Sequence, residues 1–158
     1  MWSTWEEVDM AQQTEHRGFA APDGAAMATT MTDTGVVDRF LHGVEAGALP
    51  AGVFAETAVL DATVPNWRFS VHGGEAVHTQ LSHWFADPGG FEELRRTPLP
   101  DGELVEFTLS WAEDGVPYTC HQAHILRVAG GRIQADTAFC GGRWPAELLL
   151  EMERAAAT

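Results

Sequence analysis

Three ionisable side chains stand out as candidates for proton chemistry: Asp61, His121 and Asp136. Asp61 lies near the end of the apolar run AVLDATVP. A carboxylate set against apolar neighbours loses hydration of its charged form, which raises its pKa toward the range useful for proton abstraction. The competing reading is an edge carboxylate paired with Arg68. His121 and Asp136 lie in YTCHQAHILRV and RIQADTAFC, two runs joined by Gly130 and Gly131, a tight hairpin signal. With those glycines as the two loop residues, Val128 faces Ile133, Ile125 faces Asp136 and His121 faces Cys140. Directly opposed residues share a face. His121 and Asp136 then fall on one face with Ala123 and Ala138. Small residues leave room, and a titratable pair beside room is the pattern of a ligand pocket. There, one group takes a proton and the other returns it. Against this stands a diagonal Asp136–Arg127 ion pair on an outward face, with His121 an exposed strand residue.

A second set of residues suits ligand binding. Trp67, Trp84, Trp111 and Tyr118 offer flat apolar walls with occasional donors, matched to a small apolar or polycyclic substrate. Phe107, Thr119 and Cys140 are expected beside them. Tryptophans in a domain of this size also serve simply as core. His72, His78, His83 and His124 could suggest a metal site, but metal chemistry is not expected: His78 and His83 are five apart, off the i, i+4 spacing of two ligands on one helix. Cys120 and Cys140 fall on opposite faces in the hairpin register above, so they read as two buried thiols rather than a disulfide. No cofactor is implied.

The elements that must position these groups follow from periodicity. Val36, Val37, Phe40, Leu41 and Val44 form one helical stripe, capped by Asp33 or Thr34 and closed by Gly47. A short second helix is expected over Ala51 to Glu56. AVLDATVP reads as a strand halted by Pro65, and NWRFSVHGG as a loop. EAVHTQLSHWF is again helical. ELVEFTLSW alternates, with Val105, Phe107, Leu109 and Trp111 on one face. Two further strands follow, joined through the Gly130–Gly131 turn, then PAELLLEMERAA as a short helix. This order gives an α+β domain over 35–158, with residues 1–34 a poorly ordered arm and Met27 or Met31 an alternative start.

Composition excludes several function classes. The chain has 158 residues, 45% hydrophobic and 20% charged, enough for one domain. Its net charge is −14, against nucleic-acid binding, which needs clustered cations. All nine cations are arginine, so a Schiff-base or phosphate-cradling lysine is ruled out. No run approaches the ~20 apolar residues of a membrane helix. The acidic start MWSTWEEVDM lacks an apolar signal-peptide region, so a reducing, cytoplasmic location is expected.

VLDATVPNWRFSVHGGEAV and AHILRVAGGRIQADTAF together resemble the nuclear transport factor 2-like superfamily, over roughly residues 35–145. That superfamily includes SnoaL-like polyketide cyclases, ketosteroid isomerase, scytalone dehydratase and limonene-epoxide hydrolase. The resemblance implies a cone-shaped, curved mixed or antiparallel sheet wrapped around N-terminal helices, with an internal cavity. It places Asp61 near the general base of the isomerase, and turns Gln134, Asp136 and Ala138 into the cavity. It implies cofactor-independent isomerase, cyclase or dehydratase chemistry, and homodimers formed through the outer sheet face. The sequence departs from the pattern in two places. Val105 to Trp111 presents only apolar residues where the epoxide hydrolases carry acid–base side chains. Phe40 or Leu41 stands where the isomerase has a tyrosine. The alternative reading is a binding or dimerisation module of the same fold, without chemistry.

Overall fold

The stripe that begins at Val36 forms α1, Thr34–Ala46, and Val36, Val37, Phe40, Leu41 and Val44 are all buried. The computed structural model describes residues 34–157; the arm expected over 1–34, its Met27 and Met31, and the Asp33 cap lie outside the described residues, save Thr34 itself. Gly47 ends α1 at φ +67, and a Cβ there would meet the Asp87–Pro88 backbone at 2.5–2.6 Å.

No helix forms over Ala51 to Glu56. The chain instead enters β1, Phe54–Val64, because Phe54 pairs in parallel with Ile133 and is buried. Pro65 and Asn66, the latter at φ 65, turn the chain into β2, Trp67–His72, where the sequence suggested a loop. Its alternation of Trp67, Phe69 and Val71 with Arg68, Ser70 and His72 is a strand period that the loop reading passed over. α2 spans Gly74–Trp84. A further strand, β3, covers Gly89–Leu99 and was not anticipated. A bulge between Phe91 and Glu93 breaks its alternation, and it carries Pro98. Both features are at home on an edge strand, and β3 pairs only with its neighbour β4, Gly102–Glu113. β5, Val116–Ala129, and β6, Arg132–Cys140, complete the long hairpin. A two-residue β7, Trp144–Pro145, pairs with β5 and leads into α3, Ala146–Ala156.

The sheet order is β2-β1-β6-β5-β4-β3, antiparallel except for the central β1–β6 pair. This is an α+β architecture with a mixed, curved, unclosed sheet. α1 and α2 fill its concave side with Phe40, Leu81 and Phe85 against Leu60, Phe107, Leu126 and Ile133. One ion cluster ties helix to sheet: Arg96 on β3 donates to the buried Glu103 on β4 and to Asp38 on α1.

Candidate functional site

One extra residue decides which side chains share the interior. The β5–β6 hairpin starts in the expected register, Ala129 opposite Arg132 and Val128 opposite Ile133. Beyond them the pairing shifts by one, to Arg127–Ala135, Leu126–Asp136 and Gln122–Cys140. The bulge absorbs Gln134, whose amide donates to Ala129 O at the turn. A one-residue slip moves every later side chain of the strand to the opposite face. Asp136, Ala138 and Cys140 therefore join Cys120, Gln122, His124 and Leu126 on the concave side, while His121 points the other way.

Asp136 thus meets His124 instead of His121. The Nδ1 of His124 lies 3.1 and 2.9 Å from the two carboxylate oxygens of Asp136. Its Nε2 lies 3.0 Å from Gln122 Oε1, and the Gln122 amide donates to Cys120 Sγ at 3.2 Å. Asp136 and the Gln122 amide thus engage both ring nitrogens of His124, whose donor and acceptor roles follow its tautomer. Both side chains of the pair are 0% exposed. Phe107 stacks on the His124 ring at 5.5 Å and 12°, and Phe40 meets it edge-on at 5.6 Å. A buried pair of this kind tolerates no loss of one partner, because the other is then left uncompensated in an apolar setting.

Above this network lies a cavity of about 170 Å³. Trp84 and Phe85 at the end of α2, with Leu109 and Trp111 of β4, form its apolar wall. Asp87, Glu113, Arg143, Cys120, Gln122 and Cys140 add polar side chains to its lining. His124 and Asp136 are not in the wall; Gln122 is, and its hydrogen bond to His124 is their link to the cavity. Burial, with Cys140 nearby, pushes the Cys120 thiol up to about 12, and burial raises Cys140 as well. Both are therefore thiols at neutral pH, poor nucleophiles. They share the concave face, not opposite faces, and both are free. Among the described residues no group of three metal-ligating side chains converges.

The remaining expected residues scatter. Asp61 sits on the outer face between the buried Leu60 and Ala62, and Arg68 donates to both its oxygens at 3.0 and 2.6 Å. Those hydrogen bonds, helped by the arginine charge, hold its carboxyl below the ordinary value despite partial burial. This is the reverse of the raised value a general base needs, so Asp61 takes its edge-carboxylate reading. His121 is exposed, its Nδ1 3.1 Å from Thr108 Oγ1. Thr119 is buried but faces outward, its hydroxyl 2.8 Å from that of Ser110. Trp67 is 48% exposed at the start of β2. Phe107 lies under the cavity against His124, whereas Trp84, Trp111 and Cys140 line the cavity. Tyr118 stacks on Trp111 at 5.9 Å and lies beneath Arg143, whose guanidinium carbon is 4.4 Å from its ring centre.

Gln122, Glu113 and Arg143 were not singled out from sequence, and His124 was weighed only as one of four histidines for a metal site that was not expected. His124 and Gln122 share the parity of Cys120 and Leu126, so their face was readable; that Asp136 reaches that face depends on the bulge, which no residue type announces.

The sequence matches no protein-family model and no curated protein. Solved structures do share the architecture. An NTF2-like protein from Anabaena variabilis superposes with a TM-score of 0.61 at 16% identity, covering 75% of this chain and 96% of the other. An LEH-like epoxide hydrolase from M. tuberculosis gives 0.53 at 16%, covering 72% and 85%. SalBIII, an epoxide hydrolase/cyclase-like enzyme of pyran ring formation in salinomycin, gives 0.55 at 14%, covering 73% and 95%. The chain is thus an α+β cone with an interior cavity. Its fold is the nuclear transport factor 2-like fold.

Proposed function

We propose that this chain binds a small, mainly apolar molecule bearing a hydrogen-bond acceptor. The observation that carries this is a cavity of about 170 Å³ lined by Trp84, Phe85 and Trp111 together with the anchored Gln122 amide. A cavity of roughly 150 Å³ takes a benzene-sized molecule, so a single-ring ligand is the right scale. Gln122 is held by His124 and Cys120, and its amide is the donor best placed to orient a carbonyl oxygen.

The buried His124–Asp136 pair favours a second reading, acid–base catalysis of the isomerase, cyclase or lyase type. The buried pair fixes the Gln122 amide, and a fixed donor aimed at a carbonyl stabilises negative charge as it develops on the oxygen. That two solved structures of this fold are, by name, an epoxide hydrolase and a cyclase-like enzyme supports this reading. Proton abstraction would not fall to Asp61 or His121, which lie on the outer face. Under either reading a second copy on the outer sheet face, where Phe139 is 47% exposed, is the proposed partner; light scattering should then give twice 17.2 kDa. Two free thiols fit a reducing, cytoplasmic compartment.

One experiment separates the readings. Incubating the protein with 3-cyclohexenone tests binding through a rise in melting temperature, and catalysis through the absorbance of the conjugated isomer. A melting shift that Gln122→Leu abolishes, with ketone recovered unchanged, establishes binding alone. Conversion that Asp136→Asn cuts by roughly 10²-fold or more establishes the catalytic reading. No shift from any single-ring carbonyl compound sinks both.

A further inference from the structure

The cavity lining is unevenly charged, with two carboxylates, Asp87 and Glu113, against one guanidinium, that of Arg143. Arg143 and Glu113 already serve each other. One terminal nitrogen of Arg143 donates to Glu113 Oε2, and the other Glu113 oxygen accepts from Trp111 Nε1 at 2.9 Å. The same guanidinium lies 4.4 Å from the centre of the Tyr118 ring, and Tyr118 stacks on Trp111. This end of the lining shows how the cavity holds a positive charge, between a carboxylate and an aromatic face.

Asp87 offers the same two ingredients without the cation. It shares the lining with Trp84 and Phe85, is half-buried, and has no hydrogen bond or ion pair among the described residues. His83 also lines the cavity, but it is exposed and makes no ion pair with Asp87. Backbone packing holds Asp87 in place instead of a partner: Gly47 lies against it so closely that a Cβ there would come within 2.6 Å of its carbonyl carbon. Pro88 further restricts the residue before it to extended conformations. We infer that Asp87 is a specificity-determining residue of the cavity, and that the ligand is a ring-sized protonated amine. Its ring packs against Trp84 and Trp111, and its ammonium group donates to Asp87. Charge-assisted hydrogen bonds are stronger than neutral ones, and the indole faces add cation–π attraction. The chain's net charge of −14 draws cations in the same direction. The inference rests on the reading that the cavity holds a small molecule, and adds the charge of that molecule.

Calorimetry at neutral pH with three probes of one size, benzylammonium, benzyl alcohol and benzoate, tests it. Benzylammonium should bind the wild-type chain roughly 5- to 30-fold more tightly than benzyl alcohol, the scale of a partly screened charged hydrogen bond with a cation–π contact. Benzoate should bind most weakly. Asp87→Asn should erase the amine preference and leave benzyl alcohol binding in place. Glu75→Gln removes the same charge from an exposed position at the far end of α2, and should leave the preference intact. Benzyl alcohol or benzoate binding as tightly as benzylammonium to the wild type overturns this inference alone. So does a preference that survives Asp87→Asn, or one that Glu75→Gln reduces equally. If none of the three binds, the cavity reading falls with it. The wild-type comparison needs no variant to fold.

Discussion

Two carboxylates on neighbouring strands of one sheet, Asp61 and Asp136, each hold a basic partner, and their surroundings make them different chemical objects. Asp61 pairs with Arg68 on the outer face, with side chains 30% and 71% exposed. Asp136 pairs with His124 inside, both at 0%. Water screens the first pair and ordering two side chains offsets much of its attraction, so it contributes little. Water is excluded from the second, so each partner depends on the other. Residue type does not separate them; the side of the sheet does. The inner pair also connects, through Gln122, to the cavity, whereas the outer pair connects to solvent.

The largest test of this contrast is loss of one inner partner. Asp136→Ala should cost about 3–5 kcal/mol, because it strands an imidazole among phenyl rings. In a domain of this size that lowers the melting temperature by about 10 °C or more. A change of only a degree or two would mean the pair is not buried as described. Replacing both partners, His124→Leu with Asp136→Leu, should cost far less than the single change, since an apolar pair leaves no uncompensated charge. A double variant as unstable as Asp136→Ala would show that shape, not charge, holds the site.

Gln122→Leu ranks next, at about 1–2 kcal/mol of stability from the hydrogen bonds it makes. Its larger effect should be on ligand binding, measurable with the same neutral ketone. The smallest change belongs to the outer pair: Asp61→Asn should move the melting temperature by no more than about 2 °C. Its pH dependence has a defined sign. The folded value lies below the unfolded one of about 3.9. The stabilisation is therefore present above the unfolded value and fades as pH falls through the lower folded value. Stability of wild type and Asp61→Asn should converge only in that acid range, by a small amount given the exposure of the pair. A large gap at neutral pH would place Asp61 in a role the structure does not give it.

Helices and long strands were legible because their signals are local. The stripe Val36 to Val44 and the alternation Val105 to Trp111 each need one buried side, and a period of 3.6 or 2 states it. β2 and β3 were missed for different reasons. WRFSVH does alternate but was read as part of the loop after Pro65, whereas FEELRRTPL carries charges that blur its period; pairing with β1 and β4 makes both strands. In the candidate site, Trp84, Trp111 and Cys140 were found as wall residues because apolar and small side chains near strand and helix ends tend inward. Asp136 was found for a mistaken reason: its inferred partner, His121, lies across the sheet from it.

By itself, the sequence determined the composition of the interior, the hairpin at Gly130–Gly131, and a chain of α+β type with a net charge of −14. Tertiary structure alone decided the partner of Asp136. A strand's parity is counted from its turn, and Gln134 adds one to that count without any signature in residue type. Whether a bulge forms there depends on which faces of β6 the neighbouring β1 and β5 can cover. That is a property of the whole sheet, and it selects His124 over His121.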